Sequence, residues 1–239
     1  MSQIITLQAK LFSEDGVVPE RMPEYGGDWL RSVIIKVVER FRPKLEQQRI
    51  DCSLFHNHNE STGKTLIRYP LIIYHQIGQE FLITGIDAGA EALRILASVV
   101  RDFVPIDAHL VLRINRISDV AIDIGLTDNR IHYSLYNWLP LSQADMKEYS
   151  ESPLTGKVAI LERKLRNHIE DDFARFLNLP LKGVQVLIED LIHFDTHRQQ
   201  YKNHLYMAFS LVFSANAQLP DLMTLGNGKA YGFGRVERL

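Results

Sequence analysis

Apolar and polar residues alternate from the start of the chain. Ile5, Leu7, Ala9 and Leu11 fall on one side of an extended backbone over residues 2–11, which predicts a half-buried strand. The period then changes from two to about 3.6. After Gly26 and Gly27, with Asp28 as the expected N-cap, Trp29, Val33, Val37 and Phe41 recur at four-residue spacing and predict a helix that ends before Pro43. Strands are predicted around 51–56 and 65–74, separated by the polar loop from Asn57 to Gly63. Residues 80–86 read as a short apolar strand, and Asp87 is placed to cap a helix whose buried face is Leu93, Leu96, Val100 and Phe103. Residues 109–118 read as a strand again. This order is β-α-β-β-α-β, the split βαβ pattern, with one strand more than the pattern needs.

The second half repeats the theme. A strand is predicted at 130–139, then a long helix at 156–178 with the stripe Val158, Leu161, Leu165, Ile169, Phe173 and Phe176, then a strand at 184–194. Asp195 to Asn203 is polar enough for a hairpin tip, and Leu205, Met207, Phe209, Leu211 and Phe213 alternate as a strand should. Gly232 to Arg238 can form a last strand. The expected fold is α+β: two tandem ferredoxin-like (βαββαβ, RRM-like) halves with a C-terminal glycine-rich loop. The halves are placed at 1–115, carrying a histidine loop, and 116–239, carrying the glycine-rich loop, with no linker composition to mark the boundary.

Composition narrows the function. The 239 residues are 46% hydrophobic, enough for a packed core, and no run approaches the roughly 18 apolar residues of a membrane span. Met1-Ser2-Gln3-Ile4-Ile5 lacks the basic and apolar regions of a signal peptide, so the cytoplasm is the expected location, with no membrane partner. The single cysteine, Cys52, excludes an internal disulfide framework and a cysteine-rich zinc site. A net charge of −2 argues against indiscriminate coating of nucleic acid and leaves room for a local basic groove. Arg31, Lys36, Arg40, Arg42, Lys44 and Arg49 form one basic group, and Arg163, Lys164 and Arg166 another; the ordinary reading of such runs is a solvated helix face.

Two segments carry candidate chemistry. In the first, His56, His58, Lys64, Arg68 and Tyr69 gather within one loop and its flanking strand ends. Metal-free RNA cleavage needs a base for the 2′-hydroxyl, a cation for the charged phosphorane and an acid for the leaving 5′-oxygen, and histidine serves in either proton role. On an extended backbone His56 and His58 would face the same side, close enough to share a phosphate. The competing reading is a pair of surface histidines at a strand end. A phosphate loop at Ser61-Thr62-Gly63-Lys64-Thr65 fails because its first glycine would stand at position 58, where this chain has His58. His193 and His197 would align only on a helix, so no metal site and no cofactor is expected.

The second segment packs Gly226, Gly228, Gly232 and Gly234 around Lys229 and Arg235. Glycine can take positive φ and bring backbone N–H groups close to a phosphate, and the basic side chains add charge. These glycines can equally brace a hairpin of the second sheet. Tyr231 and Phe233 are candidates for stacking on bases, with Phe233 also suited to the core.

Residues 54–74 and 225–236 together resemble the RAMP-type CRISPR-associated endoribonucleases, which mature guide RNAs from long CRISPR transcripts. That family follows a duplicated ferredoxin-like fold with a glycine-rich loop. The spacer here, Lys229-Ala230-Tyr231, is shorter than the family's usual one. The resemblance implies His58 as general acid or base, His56 as its helper, Lys64 as phosphorane stabiliser and Tyr69 as a further candidate. It implies that Gly226, Gly228, Lys229, Gly232, Gly234 and Arg235 contact or position RNA. The expected activity is metal-independent cleavage of CRISPR repeat RNA to 2′,3′-cyclic phosphate and 5′-hydroxyl ends. CRISPR repeat RNA is the expected partner; interference-complex subunits and a homodimer are compatible with the family. The alternatives are a non-catalytic RNA-binding subunit of an interference complex, and a nucleotide hydrolase using Gly63-Lys64-Thr65.

Overall fold

The computed structural model describes residues 1–13, 16–17, 26–56, 69–100, 103–105, 110–175, 177–179, 181–193, 198–201 and 204–239. The chain divides into two compact units, Met1–Ile122 with Ala230–Gly232, and Asp123–Lys229 with Phe233–Leu239.

In the first unit, β1 (Ser2–Ser13) leads to α1 (Gly26–Gln47) and a 3-10 turn at Cys52–Phe55. Then come β2 (Ile72–Ile77), β3 (Glu80–Ile86), α2 (Ala88–Val100), β4 (Phe103–Pro105) and β5 (Leu110–Ile122). The sheet runs β2-β3-β1-β5-β4, antiparallel throughout, so β3 lies between the strands that α1 connects. That is the ferredoxin-like order, with β4 as a short addition on β5. Ile5, Leu7, Ala9 and Leu11 are buried as the alternation predicts, packed with Leu30, Val33, Ile34 and Val37 of α1 and Leu93 and Leu96 of α2.

Several local expectations are corrected. Residues 52–55 are a 3-10 turn, not a strand: the Asp51 carboxylate accepts from the Ser53 N–H at 2.9 Å and the Ser53 hydroxyl at 2.8 Å, tightening the backbone. The surplus strand of the sequence pattern thereby disappears. Helix α1 passes through Pro43 to Gln47, because Leu45 beyond the proline is fully buried. A buried leucine side chain gains about 1.5–3 kcal/mol, which offsets the roughly 3 kcal/mol that a helix-interior proline costs. Asp28 lies within the first turn of α1, and the Gly26 N–H donates to the Gln76 amide oxygen at 2.7 Å instead. The Asp87 carboxylate accepts from the Gln3 N–H at 3.0 Å, tying the start of α2 to β1. The strand expected at 65–74 is described only as β2 from Ile72 onward.

In the second unit, β6 (Gly125–Trp138) precedes α3 (Gln143–Glu151), which Ser142 and Asp145 start with a capping box. Helix α4 (Leu154–Asn167) continues as a π-turn over His168–Ala174, and Leu161, Leu165, Ile169 and Phe173 are buried along it. β7 (Val186–His193), β8 (Arg198–Tyr201), β9 (His204–Met207), β10 (Phe209–Gln218) and β11 (Arg235–Arg238) follow. The sheet order β11-β6-β10-β7 repeats that of the first unit. Between β10 and β11, where the motif would carry its second helix, the described residues run through turns and the glycine-rich segment. The single strand expected from Leu205 to Phe213 is split at Ala208. β8 and β9 pair apart from the main sheet, so Leu205 is 61% exposed while Phe209, Leu211 and Phe213 are fully buried.

Candidate active site

His56 closes the 3-10 turn of the first unit at φ −123°, ψ −4°, half-buried. This backbone is not extended, so the alternation expected to align His56 with His58 does not hold at His56. His58 and Lys64 lie outside the described residues. Tyr69, just before β2, is buried with 1% of its surface exposed.

The turn is held from two sides. Tyr74 of β2 is fully buried and donates its hydroxyl to the Phe55 carbonyl at 2.8 Å. Burial pushes the Tyr74 phenol well up, against the opposing pull of the Arg31 charge, which keeps it a proton donor. On the other side, Nη2 of Arg31 in α1 donates to the His56 carbonyl. Nη1 of the same guanidinium donates to the Tyr231 hydroxyl at 2.8 Å, and its carbon lies 5.0 Å from the Tyr231 ring centroid. Tyr231 is therefore engaged by Arg31 through one ring face and its hydroxyl.

Glycines make this approach possible. A Cβ on Gly27 would overlap the carbonyl oxygens of Tyr74 and Tyr231 and lie 2.8 Å from the Tyr231 carbonyl carbon. At Gly232, φ is +82°, and a Cβ would lie 2.7 Å from the Tyr74 oxygen and 2.8 Å from His75 Nδ1. His75 is 3% exposed and belongs to this packing.

In the second unit, Gly226, Gly228 and Gly234 all have positive φ, as the loop chemistry requires. Protein atoms occupy the space beside each: Trp138 Nε1 at 2.8 Å from a Cβ on Gly226, Phe233 Cδ2 at 2.5 Å from one on Gly228, and the Leu225 carbonyl against Gly234. A backbone bond from Leu225 to Gly234 (2.9 Å) closes the loop on itself, and bonds from Gly234 to Asn137 (3.2 Å) and from Asn227 to Leu139 (3.1 Å) join it to the end of β6 and the residue after it. The bracing reading thus accounts for the glycines themselves. The Lys229 carbonyl accepts from the Thr224 hydroxyl at 3.1 Å. Arg235 lies 4.6 Å from the Tyr136 ring centroid and 3.3 Å from the Glu237 carboxylate, and burial pulls its guanidinium pKa down.

Residue-family description and fold agree on what the chain is. Its residues 28–119 match the Cas6b N-terminal domain and residues 125–239 the Cas6b C-terminal domain. The chain belongs to the Cas6b family. Among solved structures it is similar to a crystal structure of Cas6b, at 21% identity and TM-score 0.75 over the whole of both chains. It is also similar to a CRISPR RNA processing endoribonuclease Cas6b, at 19% identity and TM-score 0.64, again with both chains covered in full. Csf5, a Cas6 crRNA endonuclease of a type IV CRISPR-Cas system, matches at 13% identity and TM-score 0.63 over 99% of each chain. An uncharacterized protein of Methanocaldococcus jannaschii is 25% identical over 118 residues, 49% of this chain and 78% of that protein. At these identities the solved structures establish the shared Cas6b fold.

Within this Cas6b-family chain, the basic runs separate by partner. Arg42 pairs with Glu39 and Glu46, Arg163 with Glu148, and Lys164 with Asp145, as on solvated helix faces. Arg31 is the residue that sequence reading missed, submerged in its basic run. Its signal was the four-residue spacing from Gly27, which sets both on one helix face. His132 lies 2.9 Å from Glu189, and His168 accepts from the Trp138 indole N–H at 3.2 Å. Among the described residues no three His, Cys, Asp or Glu side chains gather as metal ligands do, and no helix is long and apolar enough to cross a membrane.

Proposed function

We propose that the chain is an endoribonuclease that cleaves CRISPR repeat RNA by attack of a 2′-hydroxyl on the adjacent phosphate. The products are a 2′,3′-cyclic phosphate and a 5′-hydroxyl. The observation that carries the reading is Cas6b family membership across both halves, joined to a histidine pair whose first member sits on a turn fixed by Arg31 and Tyr74. Solved structures of the same fold are described as a CRISPR RNA processing endoribonuclease and a crRNA endonuclease.

In this mechanism His58 acts as general acid or base, His56 assists it, and Lys64 stabilises the phosphorane, with Tyr69 as a further candidate. No metal is required. The glycine-rich loop, with Lys229 and Arg235, positions the RNA backbone.

The test incubates the protein with its host's repeat RNA in excess chelator, beside the same RNA carrying one 2′-deoxy substitution at the cut site. Cleavage of the first and survival of the second are expected, and His56→Ala with His58→Ala should lower the rate by at least about 100-fold, the lower range of general acid–base contributions. Tight binding without cleavage would favour a non-catalytic RNA-binding subunit. Full cleavage by the double variant would remove both histidines from the mechanism.

A further inference from the structure

We infer that Arg31 is a positioning residue for this cleavage, holding the His56 turn and Tyr231 of the glycine-rich segment in one fixed arrangement; the inference rests on the proposed RNA cleavage. Arg31 meets both segments with one planar group: Nη2 reaches the His56 carbonyl, Nη1 reaches the Tyr231 hydroxyl, and the guanidinium faces the Tyr231 ring. A guanidinium directs its N–H groups along fixed divergent lines, so a shift of either segment would break one bond. Lysine supplies the charge without that geometry.

The commitment of the guanidinium to protein argues for placement rather than for RNA contact. Nε of Arg31 is buried and has no hydrogen-bond partner among the described residues. With one N–H of each terminal nitrogen committed to protein and Nε shut away from solvent, at most two of the five N–H groups are left for a phosphate. An unpaired buried donor costs free energy, so stability alone is a poor reason to keep arginine here. Gly27, one turn earlier on α1, and Gly232 admit the backbone that brings Tyr231 against the helix. Histidines in acid–base catalysis lose rate steeply when displaced, about 100-fold for a shift of about 1 Å.

The experiment measures single-turnover cleavage of the host repeat RNA by wild type, Arg31→Lys, Tyr231→Phe and the double variant. Kd is measured in parallel on the 2′-deoxy RNA. Arg31→Lys should lose about 10- to 100-fold in cleavage rate, with Kd within about twofold of wild type. Tyr231→Phe, which removes one arm and keeps the ring, should lose less, and the double variant should be no slower than Arg31→Lys, because the two share one interaction. Cleavage by Arg31→Lys at the wild-type rate would overturn the inference, and so would a loss confined to Kd, which would make Arg31 an RNA contact. If Arg31→Lys does not fold, Tyr231→Phe decides by the same split between rate and Kd. Failure of wild type to cut any repeat RNA overturns the proposed function and this inference with it. A cutting wild type whose variants cut equally overturns only the inference.

Discussion

Replacing Gly27 with alanine sets two effects of known size against each other. Gly27 is a helical residue of α1 without positive φ, so on propensity alone alanine should stabilise by about 1 kcal/mol. The added Cβ, however, would overlap the main-chain oxygens of Tyr74 and Tyr231. Neither neighbour is a flexible side-chain tip: Tyr74 is paired in β2 with Ile83 of β3, and Tyr231 is held by Arg31. Overpacking against groups that cannot rotate away costs about 3 kcal/mol, the upper end of the usual range. The net expectation is a loss of about 2 kcal/mol from the first unit, a fall in Tm of roughly 6–10 °C for a unit of this size. The matched control is Gly156→Ala in α4, where the Cβ would meet side-chain atoms, the Ser152 Cβ at 3.2 Å, the Pro153 Cδ at 3.4 Å and the Ser152 Oγ at 3.5 Å, and no main chain among its three nearest neighbours. There the propensity gain survives, and stability should equal or exceed that of wild type by up to about 1 kcal/mol. Urea unfolding followed by tryptophan fluorescence reads both, since Trp29 lies in the first unit and Trp138 in the second. Equal stabilisation by the two substitutions would refute the close approach at Gly27.

Two further outcomes follow from the hydrogen bonds. Tyr74→Phe deletes the buried donor to the Phe55 carbonyl and should cost about 1–2 kcal/mol in urea unfolding of the first unit; an unchanged midpoint would show that the bond does not hold the turn. Burial raises the Asp145 carboxyl, but its bonds to Lys164 and Ser142 outweigh that and bring it down to about 2. Because the folded pKa lies below the unfolded value, near 3.9, the contribution is fully present above about pH 4 and is lost as pH falls toward 2. Asp145→Asn should therefore cost about 1 kcal/mol at neutral pH, allowing for solvent screening, and should remove that part of the acid sensitivity. An identical pH–stability profile would refute the pairing.

The sequence alone determined the strands and helices whose apolar spacing coincides with burial. Ile5, Leu7, Ala9 and Leu11 of β1 and the Leu161-to-Phe173 stripe came from periodicity, because burying one face of a regular element imposes that spacing, and the β3 limits at 80–86 came from a short apolar run. It also allowed the positive φ that the four loop glycines adopt, since glycine carries no Cβ. Tertiary structure decided the rest. Whether Cys52–Phe55 would be strand or turn depended on Asp51 capping locally, and whether α1 would stop at Pro43 depended on a place in the core for Leu45. Alternation from Leu205 to Phe213 could not reveal the break at Ala208, because period two is the same in one strand or two. Arg31 is the sharpest case. Its four-residue spacing from Gly27 sets it on that helix face, but its meeting with His56 and Tyr231 joins positions far apart in the chain that only the folded first unit brings together.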